Sequence, residues 1–123
     1  MTETIDRVAI AGMLMKLFQR WNLETDEQLE FLGLSSMNKG TLTRYRNGAP
    51  ISKNRDMMDR AGHLLGIHKN LRLLFPHDRD LAYTWIKIRN KAFQYKSPGE
   101  VIGDYGFAGL LMVHSYLDKA IGQ

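Results

Sequence analysis

The chain has 123 residues, 44% of them hydrophobic and 24% charged, with a net charge of +4 at neutral pH. Such values fit one globular domain or two very small ones and exclude a disordered or fibrous chain. The absence of cysteine excludes disulfides and thiolate metal sites, and no apolar run approaches the ~20 residues a membrane helix needs.

The acidic start M-T-E-T-I-D-R lacks the pattern of a signal peptide, so a cytoplasmic protein with no membrane partner is expected. An isoelectric point near 9.5 is compatible with nucleic acid. Strand signals are sparse and helical spacing recurs throughout, which predicts an all-α fold. Ile10, Leu14, Leu17, Phe18 and Trp21 share one face of a first helix running from about Ile5 to Trp21. Thr25 to Gln28 has capping-box chemistry for a second helix with Leu29, Phe31 and Leu32, stopped by Gly33. After the turn Leu34-Ser35, Ser36 is the expected N-cap of a third helix that ends at Asn47-Gly48. Ser52 can cap a fourth helix ending at Gly66. A short fifth helix then carries Leu71, Leu74 and Phe75 and stops at Pro76. A sub-domain boundary is expected at Pro76-His77, giving halves 1–76 and 77–123. Asp78 caps a sixth helix with Leu81, Trp85 and Ile86. Ser97-Pro98-Gly99-Glu100 starts a seventh, and the last runs from about Phe107 to Ile121.

The second and third helices, joined by a short glycine-containing turn, have the layout of a helix-turn-helix. On a helical wheel Leu42 and Tyr45 point inward. Gly40, Thr43, Arg44 and Asn47 face outward, with Lys39 and Arg46 at the edges. Arginine pairs with guanine edges, asparagine with adenine, and threonine with either, so this face suits operator DNA. Lys53, Asn54 and Arg55 open the next helix, where free amides and two cations can hold a phosphate. The plain alternative is a solvated helix face.

The last helix is apolar on two sides. Phe107, Leu110, Leu111, Leu117 and Ile121 share one, with His114 among them, while Met112, Val113 and Tyr116 form a second strip. Either this helix is central and surrounded, or its second strip meets a partner or another copy of the chain. The loop Phe93-Gln94-Tyr95-Lys96 is either an interface hot spot or an aromatic plug.

The helix L-A-Y-T-W-I, the element N-K-A-F-x-x-K-S-P-G-E-V-I and the ending G-L-L-x-V-x-x-Y-L-D resemble the toxin-binding domain of the Xre/MbcA/ParS family of bacterial antitoxins, over Asp78 to Asp118. In that family an Xre-like helix-turn-helix precedes this domain, and Ile5 to Pro76 is similar to it in layout. The resemblance implies a type II antitoxin. Such a protein binds and blocks a cognate toxin, commonly a RES-domain enzyme that consumes NAD, and represses its own operon. Because operators pair half-sites, a homodimer or a hetero-oligomer with toxin is expected. By motif, Lys96, Ser97, Pro98, Glu100, Leu110, Val113, Tyr116 and Leu117 belong to the toxin-binding domain. Gln94-Tyr95 departs from the pattern, since family members often carry small residues there. With five residues after Asp118, a long tail that plugs a toxin site is not expected. A stand-alone repressor whose C-terminal half only dimerises is the runner-up, and an adaptor with no DNA role the third reading.

No enzyme is expected. His63 and His68 do not share a helix face, His77 stands alone, and His114 falls in an apolar stripe. Gly103, Gly106 and Gly109 follow no strand and so make no nucleotide loop. Asp56 and Asp59 complement a helix dipole. No catalytic constellation, metal site or cofactor is implied.

Overall fold

A computed structural model describes residues 2–122. The chain is all-α: α1 (Thr2–Arg20), α2 (Thr25–Phe31), α3 (Lys39–Arg46), α4 (Arg55–Leu74), α5 (Arg79–Thr84), α6 (Pro98–Tyr105) and α7 (Phe107–Gly122). Among the described residues the sole sheet-like pairing is an isolated antiparallel bridge between Asn90 and Lys96. The chain divides into two compact units that meet at Gly62/His63.

The first unit is built on the apolar face of α1. Leu14, Leu17, Phe18 and Trp21 are buried, together with Leu29, Phe31, Leu32, Leu42, Ile51 and Met57. Phe31 meets Phe18 edge-on at 6.1 Å and Trp21 at 6.2 Å. Such pairs add about 0.5–1.5 kcal/mol each beyond their burial. The segment after α3 is tied back to α1, because Arg7 donates to the Ile51 carbonyl at 2.8 Å and the Ile51 amide to the Arg7 carbonyl at 3.0 Å.

Three expected boundaries move. The cap of α2 is Glu24 rather than Thr25, and Glu27 Oε1 accepts the Glu24 amide at 2.8 Å. Ser35, not Ser36, opens the third helical segment. Its hydroxyl accepts from the Met37 amide, and a 3-10 turn over Ser36–Asn38 precedes α3. The expected fourth and fifth helices are one: α4 runs unbroken through Gly62 and Gly66. Glycine costs a helix about 1 kcal/mol, and burial of Leu64, Ile67 and Leu71 on one face outweighs that. The division between the two compact units, Gly62/His63, falls within α4.

In the second unit α6 and α7 pack closely. A Cβ on Gly109 would collide with the Val101 carbonyl and lie 2.8 Å from Ile102 Cα. Gly106, at φ 58° and ψ −130°, makes the corner between the two helices. The core here is Leu64, Ile67, Leu71, Ile86, Val101, Ile102, Leu110, Val113 and Leu117.

Candidate functional site

Two surfaces carry the residues singled out by the sequence. The first is the outer face of α3. Leu42 and Tyr45 are buried, and Lys39, Gly40, Thr43, Arg44, Arg46 and Asn47 are all exposed. The Arg44 guanidinium is held along the helix by a 2.9 Å hydrogen bond from Nη2 to Thr41 Oγ1. Gly40 leaves space beside it, since a Cβ there would stand 3.5 Å from Arg44 Nη1. The Tyr45 hydroxyl reaches out of the core and accepts the Ser52 amide at 3.2 Å, which fixes the connection into α4.

Lys53, Asn54 and Arg55 are exposed at the start of α4. Asn54 has a structural duty that the sequence reading did not assign to it. Its Oδ1 accepts the Met57 amide at 3.2 Å, so it caps α4. Ser52, the expected cap, instead accepts the Asn54 amide at 3.1 Å. Arg55 makes only a long 3.9 Å approach to Asp59 and is almost fully exposed. An arginine so weakly held can turn toward a phosphate without breaking anything of value.

The second surface lies between α5 and α7. Trp85 stacks on Tyr116, with ring centroids 6.2 Å apart and planes 14° apart. Phe93 meets Tyr116 at 5.2 Å and Trp85 at 6.5 Å, both edge-on. Phe93 is therefore the aromatic plug of its loop, 9% exposed. Tyr95, two residues on, is 65% exposed.

The loop is tightly built. The Asn90 amide donates to the Lys96 carbonyl at 3.1 Å, and the Tyr95 amide to the Asn90 carbonyl at 3.0 Å. Asn90 Oδ1 caps the 3-10 turn Lys91–Phe93 by accepting the Ala92 amide at 2.9 Å. Gln94 and Tyr95 both sit at positive φ, 57° and 65°. Two consecutive left-handed residues that are not glycine cost of order 1–2 kcal/mol each, and the loop holds them nevertheless.

Lys96 closes the loop. Its Nζ lies 2.7 Å from Asp104 Oδ2 and 5.6 Å from the centroid of the Tyr105 ring. The Asp104 hydrogen bond and charge hold the Lys96 ammonium above its ordinary pKa. Ser97 and Glu100 form the expected reciprocal cap: Glu100 Oε1 accepts the Ser97 amide at 2.8 Å and Ser97 Oγ the Glu100 amide at 3.1 Å. These bonds from Ser97 hold the Glu100 carboxyl below its ordinary pKa.

The two stripes expected on α7 need correction. Leu110, Val113 and Leu117 are buried, while Leu111, Met112, Tyr116 and Ile121 are exposed to different degrees. Val113 thus belongs to the core and Leu111 to the outside, because the close contact of Gly109 with α6 sets the rotation of the helix. Ser97 and Pro98 are buried as well. Of the residues expected to contact a partner, Gln94, Tyr95, Met112 and Tyr116 are at the surface, Lys96 is half-buried, and Ser97, Pro98, Leu110, Val113 and Leu117 shape the support beneath them. Glu100 is exposed, with its carboxylate committed to the cap.

Trp85 and Tyr105 were missed as surface residues. Trp85 stacks on Tyr116, and Tyr105 joins Phe93, Lys96, Val101 and Met112 around a shallow depression of about 150 Å³. That is below the range of about 300–1,000 Å³ for small-molecule sites. Their sequence signal is weak, because an aromatic at a helix end reads equally well as core. His63 and His114 meet through their Nδ1 atoms at 2.8 Å, and Gly66 makes room for the His114 ring. Asp118, 3.6 Å from His114 Nε2, accepts from Asn70 Nδ2 at 2.7 Å. Among the described residues no group of three or more His, Asp or Glu could hold a metal ion.

The second surface falls within a recognisable segment. Residues 70–120 are similar to the antitoxin Xre/MbcA/ParS C-terminal toxin-binding domain. This similarity spans α5 to most of α7 and includes every residue of the aromatic surface. The chain is also similar to the uncharacterized protein y4oB of Sinorhizobium fredii (strain NBRC 101917 / NGR234). The two are 29% identical over 108 residues, covering 87% of this chain and 80% of that protein. The toxin-binding similarity begins at Asn70, so α1, α2 and α3 lie outside it. No helix among the described residues is long and apolar enough to cross a membrane.

Proposed function

We propose that the chain is the antitoxin of a bacterial type II toxin-antitoxin system. The observation that carries this reading is the similarity of residues 70–120 to an antitoxin toxin-binding domain, over a segment that presents exposed aromatics on a strained, well-anchored loop. Tyr95, Met112, Tyr116 and the edge of Trp85 are the contact residues. Neutralisation is steric: the second surface covers the mouth of the toxin's active site and blocks substrate entry. The partner is a RES-type enzyme that consumes NAD.

The N-terminal half (1–76 in the functional division) binds operator DNA as a helix-turn-helix and represses the chain's own operon. Support comes from an α3 that buries Leu42 and Tyr45 and exposes Lys39, Thr43, Arg44, Arg46 and Asn47 on one face. Operators pair two half-sites, so DNA binding uses two copies of the chain, free or assembled with toxin.

The test is co-expression with the product of the adjacent gene. The expected result is that this product alone arrests growth and depletes cellular NAD, and that the chain reverses both and copurifies with it. If the neighbour is harmless and never copurifies, while the chain still binds its promoter, the protein is a stand-alone repressor that uses the second surface for dimerisation. If the promoter shows no salt-dependent binding, the DNA role is lost.

A further inference from the structure

Charge is distributed unevenly along the second unit. Between Asp80 and Glu100 the sequence holds Lys87, Arg89, Lys91 and Lys96 and not one carboxylate side chain. The same stretch carries Trp85, Phe93 and Tyr95. Lys87 and Lys91 sit in the two 3-10 turns that also hold Trp85 and Phe93, and Arg89 lies between those turns. Lys87, Arg89 and Lys91 are exposed. Beside them, the depression lined by Phe93, Val101, Tyr105 and Met112 is closed at one edge by Lys96, which Asp104 holds in place at 2.7 Å. The arrangement is an apolar socket edged by Lys96, next to a stretch whose cations Lys87, Arg89, Lys91 and Lys96 outnumber the neighbouring acids Glu100 and Asp104.

We infer that the surface of the toxin that docks here is acidic, and that it inserts one apolar side chain into the depression while its carboxylates face Lys87, Arg89 and Lys91. The inference rests on the antitoxin reading and adds to it the chemistry of the partner. Charge complementarity selects this occupant. A basic border repels a second copy of the same border, which disfavours a symmetric dimer through this face. A nucleic-acid strand would need open ring faces for base stacking. Here the rings of Trp85 and Tyr116 are stacked on each other and Phe93 is buried against both, so among the described residues of this face only Tyr95 and Tyr105 are strongly exposed rings, too few for a run of stacked bases. A border of like charge acts mainly on the approach of the partner, by raising the encounter rate, and contributes little once the apolar contact is made.

The experiment measures association and dissociation rates between the full-length chain and the adjacent gene product that copurifies with it. For the unaltered chain, the association rate should fall about tenfold between 50 and 500 mM salt, with dissociation changed by less than about threefold. The triple variant Lys87→Glu, Arg89→Glu, Lys91→Glu should lose about tenfold in association rate at low salt, and its salt dependence should flatten or invert. Reversal of Lys16, Arg20 and Lys69, exposed and outside the segment similar to a toxin-binding domain, changes net charge equally and should leave most of the rate in place. A complex that forms with a salt-independent rate, or that tolerates the border reversal as well as the control reversal, overturns the acidic-partner inference and leaves the antitoxin reading standing. Loss of promoter binding, rather than of toxin association, in the border variant makes this face a nucleic-acid contact and overturns the inference too. If the neighbouring product forms no complex at all, both readings fall together.

Discussion

Tyr95 concentrates the tension between stability and recognition. Its backbone is left-handed at φ 65° and its ring is largely in solvent, so the folded chain gains little from it. Glycine adopts that conformation without penalty, and Tyr95→Gly should leave the melting temperature unchanged or raise stability by about 1 kcal/mol. The same change should weaken association with the copurifying partner at least tenfold, on the scale of a lost interface aromatic. Thermal melts and pull-downs on one preparation check both halves, and a variant that is less stable yet binds normally would make Tyr95 a structural residue. Glu100 offers a titration. Ser97 lowers its pKa from 4.5 in the folded chain. A lowered folded pKa gives stability that is present above the unfolded value and lost as pH falls through the folded one. Glu100→Gln keeps the cap geometry and removes the titrating group. The stability advantage of the unaltered chain over this variant should hold at pH 6–7 and fade below about pH 4.5, as read by urea melts across that range.

Elements whose signals are local were legible in the sequence. Ser97-Pro98-Gly99-Glu100 opens α6 as its capping box requires, Asp78 caps α5, and Leu42 and Tyr45 face inward on α3. Elements decided by packing were not. Gly66 reads as a stop, yet α4 passes through it, because Leu64, Ile67 and Leu71 bury the face on either side; its missing side chain makes room for the ring of His114. The α7 stripes were misassigned because most of its residues are apolar, and spacing alone cannot choose between competing faces. The choice is made by Gly109, whose missing side chain lets α7 lie against the backbone of Val101 and Ile102. Gly109→Ala should therefore cost about 1–3 kcal/mol, the usual penalty for overpacking, although alanine is the better helix former. The obstructing atoms are backbone, so no rotamer change relieves the clash. A denaturation midpoint equal to that of the unaltered chain would mean that α6 and α7 separate easily, and the exposed strip of α7 would then lose its fixed orientation.

At the scale of the whole molecule the two surfaces ought to be separable, because the α3 face lies in the first compact unit and the aromatic surface in the second. Under the proposed operator-binding role, Arg44 and Arg55 have different tasks. Arg44 stands on the outer face of α3, tethered to Thr41, and in the proposed role it reads a base edge. Arg55 is nearly fully exposed at the start of α4, the end of a helix that favours an anion. Arg44→Ala should cost about 1–3 kcal/mol on the best promoter site and relax preference at one base pair. Arg55→Ala should weaken all sequences alike and reduce the salt slope of binding by about 1. Neither change should alter partner association, just as Tyr95→Gly should leave promoter binding intact. Gel-shift titrations over several salt concentrations, paired with pull-downs of the same variants, read both surfaces for each variant. If Arg44→Ala also released the partner, the division of labour between the two surfaces would be wrong, since no residue of α3 falls within the segment similar to a toxin-binding domain.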